Sequence, residues 1–140
     1  MAQIDIHSRA TVASALNIQA ITTDTTTVGA IIDTQDQNSL EFIFNYGTVS
    51  AGVLTPLIHE GDNASLTDAA VVSTDYLLGT IASATFTFGT STNNVPKSLG
   101  YVGKKRYVRV SIVSTVSANG TVGVIALKEN PGIASVDALS

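Results

Sequence analysis

The sequence has no cysteine and no tryptophan, and it carries little charge. Without cysteine, neither a disulfide nor a thiolate metal site can form, so cysteine chemistry says nothing about the compartment. Lys, Arg, Asp and Glu together make up 13% of the residues, about half of the roughly 25% that is usual for soluble domains. A surface of hydroxyl groups loses its hydration at less cost than a charged surface. This composition therefore favours a protein that neighbouring proteins partly cover.

Long apolar runs are also missing. No segment approaches the ~18 uninterrupted apolar residues of a membrane span, and the first residues lack the basic start and apolar stretch of a signal peptide. We therefore expect a protein that is made and used without secretion and that has no membrane partner. A chain of 140 residues fits one domain that buries its own core.

What the chain does have is a series of short β-favouring runs separated by Gly, Asn, Asp and Ser. Such spacing is typical of a sandwich or a small barrel. We predict an all-β fold, either an antiparallel, jelly-roll-like β-sandwich or a small barrel. An extended N-terminal arm (1–16) would precede the β domain (17–129), and an irregular C-terminal tail (130–140) would follow it. The predicted strands are 17–22, 26–32, 40–48, 53–59, 81–88, 96–102, 106–114 and 121–128.

Alternation within the strands predicts which side chains face the core, because successive side chains point to opposite faces. In 40–46 the predicted core face holds Leu40, Phe42, Phe44 and Tyr46. In 106–114 the predicted inward residues are Val108, Val110 and Ile112, and the outward residues are Tyr107, Arg109 and Ser111. Residues 121–127 are apolar on both faces, which indicates a strand that is covered on both sides or that faces a partner.

Three local signals predict interruptions. Pro56 cannot donate a ladder hydrogen bond, so 53–59 is expected to be an edge strand or a bulged one. Asn119 and Gly120 tolerate the positive φ of a type I′ turn and predict a hairpin between the last two strands. Ser65 followed by Asp68 resembles a capping box and predicts a helix of one or two turns over 65–70.

Residues suited to catalysis do not converge in the sequence. His59, Glu60 and Asp62 could in principle hold a metal, but a solvated turn explains them as well. Serines occur without a Gly-x-Ser-x-Gly elbow, and the glycines and lysines of 100–105 lack the helix that a phosphate-binding loop requires. We therefore expect no catalytic residues, no bound metal and no cofactor, and hence no enzyme.

Charge is distributed unevenly along the chain. The first 75 residues hold nine acids and one base, Arg9, whereas the remainder holds six bases and two acids. Folding could interleave these charges, or a dipole could survive and favour head-to-tail or ring packing of identical subunits. The sequence leaves both outcomes open.

The basic, aromatic run Lys104–Arg109 is the one segment that suggests nucleic-acid binding, since cations meet phosphates and tyrosine stacks on bases. The overall acidity of the chain, a net charge of −4, opposes that interpretation. A turn followed by a half-buried strand accounts for the same residues. We predict docking against an acidic protein surface and no nucleic-acid partner.

Three segments resemble a known family: Leu40–Gly47 (LEFIFNYG), Thr55–Asp62 (TPLIHEGD) and Leu99–Val110 (LGYVGKKRYVRV). They are similar to small structural proteins of tailed bacteriophages and prophages that are commonly encoded beside the major capsid protein. Members of that family with an assigned role are head decoration, or cement, proteins. The resemblance covers about residues 38–127, and its motifs are structural rather than catalytic.

The resemblance implies a virion protein on the exterior of the phage head, with the major capsid protein as its partner. It also implies a homo-oligomer, since trimers are common among phage decoration proteins. Two alternatives stay open: a tail-tube, head-tail connector or fibre-associated subunit, and a carbohydrate-binding or adhesin module. The second alternative usually presents aromatic platforms, and this chain has no Trp.

An adhesive role of this kind predicts three contact regions, namely the arm, the edge strand near Pro56 and the basic turn. The expected capsid or subunit contacts are Ile4, Ile6, Arg9, Pro56, Lys104, Lys105, Arg106 and Arg109. Deletion of residues 2–14 is expected to abolish shell binding without unfolding the domain.

Overall fold

The computed structural model describes residues 6–129, and most of them lie in antiparallel strands. The predicted all-β class is confirmed. Ile4 and the predicted tail, 130–140, lie outside the described residues. The strands are β1 (Ala10–Ile21), β2 (Thr26–Asp33), β3 (Ser39–Gly61), β4 (Ala70–Val71), β5 (Leu77–Leu78), β6 (Phe86–Thr87), β7 (Lys97–Tyr101) and β8 (Tyr107–Glu129). The helical segments are α1 (Ile6–Arg9), a 3-10 turn (Thr74–Tyr76) and α2 (Ile81–Ala84).

Two strands of 23 residues, β3 and β8, form the frame of the molecule. They pair antiparallel from Ser39 opposite Glu129 to Gly61 opposite Tyr107, with register shifts between Tyr46 and Val53. Strand β1 pairs with the C-terminal half of β8, and β2 pairs with its N-terminal half. The order β1-β8-β3-β7-β5 runs from edge to edge, so the sheet is open over the described residues rather than closed into a barrel.

Both halves of this long ribbon contribute to one core. The predicted inward residues of β3 and β8 are buried, as alternation requires. Tyr46 lies in the first half of β3, whereas Phe86 belongs to β6, which pairs with the second half. Their ring centroids are 5.5 Å apart, and the Tyr46 hydroxyl donates to the Ala84 carbonyl at 2.7 Å. The two halves therefore pack on one another, in a sandwich-like arrangement.

The predicted hairpin at Asn119–Gly120 is wrong. Strand β8 continues through these residues, and Asn119 and Gly120 pair with Ala51 and Val49 of β3. Positive φ angles occur earlier, at Val116 (62°) and Ser117 (54°). The carboxylate of Asp24 accepts hydrogen bonds from the backbone N–H groups of Ser117 (3.0 Å) and Ala118 (2.9 Å). A long-range side-chain contact thus stabilises a bend at 116–118, which neighbouring residues could not reveal.

Replacement of Asp24 by alanine is expected to lower the urea midpoint of unfolding at pH 7. The two backbone hydrogen bonds hold the pKa of Asp24 below its ordinary value of 3.8, so its stabilising effect exists above pH 3.8 and fades as the pH falls. The difference between wild type and variant should therefore shrink in urea titrations below pH 3.8. Asp75→Ala, which removes another exposed carboxylate, is the control; equal midpoints for both variants at pH 7 would contradict the assignment.

Pro56 lies inside the long strand β3, which pairs with β8 on one side and is an edge on the other side at this residue. Ile58 accepts a hydrogen bond from the Val72 N–H on the side away from β8. Residues two apart point their backbone groups to the same side, so the nitrogen of Pro56 also faces away from β8. On that side, β3 pairs with β6 at Leu54 and with β4 at His59, and Pro56 lies between these two short pairings. The proline therefore removes no ladder bond to β8.

Three other local predictions are wrong. Residues 65–70 form turns rather than a helix, because the Asp68 carboxylate accepts from the N–H groups of Asp62 and Asn63. Residues 81–88 begin with α2, where Thr80 and Ser83 form a reciprocal capping box. Strand β1 begins at Ala10 rather than at 17, because residues 10–14 pair with 125–129 of β8.

Candidate interaction surfaces

The basic turn at 104–106 is largely neutralised within the molecule. Arg106 donates from Nε and Nη2 to both oxygens of Asp33, each at 2.9 Å, and its guanidinium lies 5.0 Å from the Tyr107 ring centroid. These bonds lower the pKa of Asp33 to about 2. Lys105 pairs with Asp62 at 2.5 Å. The acids of the first half and the bases of the second half are thus interleaved here, as one of the two sequence interpretations expected.

Hydrogen bonds around Tyr101 fix this turn to β3. The Tyr101 hydroxyl donates to Glu60 Oε2 at 2.5 Å and accepts from the Lys105 N–H at 3.2 Å. Burial, together with the bond to Glu60, raises the pKa of the Tyr101 hydroxyl. Glu60 and Asp62, which the sequence offered as possible metal ligands, each have a partner within the fold. Among residues 6–129, no group of three His, Cys, Asp or Glu side chains is arranged to hold a metal.

An exposed apolar surface covers the outside of the β1, β8 and β3 strands. Val124 and Ala126 of β8 face the core, so Ile125 and Leu127 point outward beside Ile43 and Val12. We call this surface the β1 face, and it consists of Val12, Ile18, Ile43, Ile125 and Leu127. Val12, Ile18 and Ile125 are 64%, 77% and 44% exposed. The outward side of 121–127 is therefore not fully covered within residues 6–129, which leaves the alternative that it faces a partner.

A shallow groove of about 320 Å³ crosses the β1 face. It forms where Ile18 lies over Gly123, at which an added Cβ would come within 2.6 Å of Ile18 Cγ1. The polar side chains that line this groove are short and uncharged. The lining residues are Ser14, Leu16, Asn17, Ile18, Asn45, Gly123, Val124 and Ile125.

A second outward surface lies on the other half of the ribbon. We call it the Arg109 face, and it consists of Val28, Ile31, Leu57, His59, Val71 and Arg109. Arg109 is placed between Ile31 of β2 and His59 of β3, and His59 is followed by Val71 of β4. Val28 and Val71 are 56% and 63% exposed. Ser111 also belongs to this side of β8 but is buried.

The contact residues predicted from the sequence occupy different environments. Ile6 and Lys104 are exposed, and Arg9 pairs with Glu129 at 2.7 Å. Pro56 is buried in β3, so its side chain is not presented to a partner. Arg109 is half-buried and faces outward from β8 beside Ile31 and His59. These residues thus differ in their burial and in whether a partner within the fold already holds them.

The β1 face was indicated by the sequence, whereas the Arg109 face was not. Val12 lay in the predicted arm and Ile18 in a predicted strand without an assigned face. Val28, Leu57 and Val71 come from three separate segments, and their proximity depends on the strand register. Alternation alone identified Arg109 as outward-facing.

Within the described part of the chain, no helix is long and apolar enough to cross a membrane.

No protein-family model matches the sequence, and no curated protein matches it. Among solved structures, the SPBc2 prophage-derived protein YomS is 14% identical, with a TM-score of 0.45; the match covers 85% of this chain and 91% of that protein. The VP2 subviral particle of infectious bursal disease virus is 15% identical, with a TM-score of 0.47, and 89% of this chain is covered. This chain spans 33% of the VP2 chain. These likenesses describe the general β architecture alone.

Proposed function

We propose that this chain is a non-enzymatic structural protein of a tailed-bacteriophage particle. More specifically, we propose a capsid decoration, or cement, protein that binds the outer head shell and bridges capsid subunits. Its partner would be the major capsid protein, and it would act as a homo-oligomer, with a trimer as the expected form. The observation that carries the proposal is the β1 face, an apolar and uncharged sheet surface that the described residues leave uncovered.

Exposed apolar surface of this kind favours protein binding over chemistry. Contiguous apolar patches on soluble proteins mark interaction sites, and Val12, Ile18 and Ile125 lie together on one such patch. The carboxylates of Asp24 and Asp33 instead hold the fold together through hydrogen bonds. The side chains that would suit acid–base chemistry therefore serve the structure, while the open surface is suited to adhesion.

The β-sheet frame also fits the family resemblance. The segments that carry it form β3 (Leu40–Gly47 and Thr55–Asp62) and β7 with the start of β8 (Leu99–Val110). Repetition over a symmetric shell turns modest contacts into avidity, because each bridged neighbour raises the effective concentration for the next contact. A cement protein therefore needs broad contact surfaces rather than one strong site.

A sedimentation experiment tests the proposal. Purified protein is mixed with mature and with unexpanded heads of the bacteriophage whose genome carries this sequence, and bound protein is measured in the pellet. Saturable binding to mature heads is expected, with a fixed number of copies per shell. Absence of binding to both kinds of head, with the protein found in tails instead, would contradict the decoration role and favour a tail subunit.

The contribution of the N-terminal segment can be separated from that of β1. Deletion of residues 2–14 would remove five pairings with β8 and the ion pair of Arg9, so it is expected to destabilise the domain. Deletion of residues 2–8 leaves every pairing of β1 with β8 in place, and it should weaken head binding; the urea midpoint of the variant is measured alongside. Unchanged sedimentation of the 2–8 deletion would remove Ile4 and Ile6 from the contact surface.

A further inference from the structure

Arg109 has no charged partner among residues 6–129, although it is half-buried. The ion pairs among residues 6–129 join Arg9 to Glu129, Lys105 to Asp62 and Arg106 to Asp33. Arg109 takes part in none of them. Its Nε is buried and makes no hydrogen bond in the described part of the molecule. A buried N–H group without an acceptor destabilises a fold, so the buried Nε of Arg109 is unfavourable for the isolated protein.

His59 lies beside Arg109 and also has a buried nitrogen that lacks a hydrogen-bond partner. The two residues are direct cross-strand partners of β3 and β8. The Nδ1 atom of His59 is also buried and also lacks a hydrogen-bond partner among the described residues. Two neighbouring cross-strand residues on this sheet surface therefore each carry a buried nitrogen without a hydrogen-bond partner among residues 6–129.

Apolar side chains surround this pair. Ile31 flanks Arg109, Val71 flanks His59, and Val28 and Leu57 lie one row further along the strands. A carboxylate approaching Arg109 would accept hydrogen bonds from a guanidinium that is already partly desolvated, where charge-assisted bonds are strongest. Apolar groups on either side of that carboxylate would pack on the four surrounding side chains.

We propose that the Arg109 face binds a capsid-shell subunit through a carboxylate side chain flanked by apolar residues. The proposal rests on the decoration function and adds the chemistry of the contact. The β1 face consists of apolar side chains and does not specify the charge of its partner, whereas the Arg109 face does. Arg109 is thus a binding residue whose partner is supplied by the shell.

The test uses three full-length variants in the head-sedimentation experiment. Arg109→Met keeps a long side chain and removes the charge, Arg109→Lys keeps the charge and removes the planar fork, and Lys97→Met is the matched control on a base outside the expected contact residues. Removing one member of a desolvated charge pair should weaken binding roughly 30-fold or more in Arg109→Met. Arg109→Lys should also bind more weakly than wild type, and Lys97→Met should bind within about twofold of it.

The urea midpoint of each variant separates binding from folding. Because Arg109→Met removes an unsatisfied buried N–H, its midpoint should equal or exceed that of wild type. Head binding by Arg109→Met at the wild-type level would overturn the proposal and leave the decoration function intact. If Arg109→Met does not fold, wild-type binding by Arg109→Lys overturns it instead. Failure of the wild-type protein to bind heads would overturn the decoration function and this inference together.

Discussion

Gly29→Ala is expected to destabilise the domain by about 3 kcal/mol or more. A Cβ at Gly29 would lie 2.3 Å from the carbonyl oxygens of both Ala15 and Val110. Both atoms belong to the backbone, so no side-chain rotation can relieve the contact. At Gly29, strand β2, which pairs with β8, also lies against β1. The substitution should therefore push β2 away from β1. Urea unfolding followed by tyrosine fluorescence measures the loss.

Gly47→Ala is the control for this substitution. The nearest atom to a Cβ at Gly47 is Thr121 Cβ at 3.4 Å, so the change should alter stability by no more than about 0.5 kcal/mol. Equal midpoints for Gly29→Ala and Gly47→Ala would show that β1 and β2 do not approach each other as described.

Truncation of Tyr46 to alanine should remove about 4 kcal/mol of stability. The ring is fully buried and contacts Phe86 across the two halves of the ribbon, with Phe44 stacked at 6.2 Å between centroids. Tyr46→Phe keeps the ring and loses the hydrogen bond to the Ala84 carbonyl, so it should remove about 1–2 kcal/mol. Thermal and urea unfolding of the two variants divide the total between packing and hydrogen bonding.

Tyr76→Ala provides the comparison on an exposed tyrosine. Its side chain is exposed at the end of the 3-10 turn, so its removal should change stability by no more than about 0.5 kcal/mol. A Tyr46→Ala variant as stable as Tyr76→Ala would contradict a core that the two halves share.

The sequence predicted the periodic elements of the fold well and its connections poorly. Alternation placed Phe42, Phe44 and Val110 in the core, because side-chain period in a strand is a local property. The bend at 116–118 depends instead on Asp24, more than ninety residues away. Asn119 and Gly120 permit a hairpin, but their pairing with β3 decides the outcome.

The candidate surfaces could likewise be predicted where they depend on local alternation, and not where they depend on the strand register. The apolar alternation of 121–127 indicated an outward apolar surface, and Ile125 confirms it. The neutralisation of Arg106 by Asp33 could not be predicted, because it requires the register that places β2 beside β8. The lack of an acidic partner for Arg109 among residues 6–129 could not be predicted either. It follows from the register that pairs Arg109 with His59 rather than with an acid.

Cryo-microscopy of decorated heads is the most direct test of the proposed function. Mature heads saturated with the protein should show symmetric density on the outer shell, at junctions between capsid subunits, into which the β3–β8 ribbon fits. Heads without added density, or density confined to tails, would contradict the decoration role.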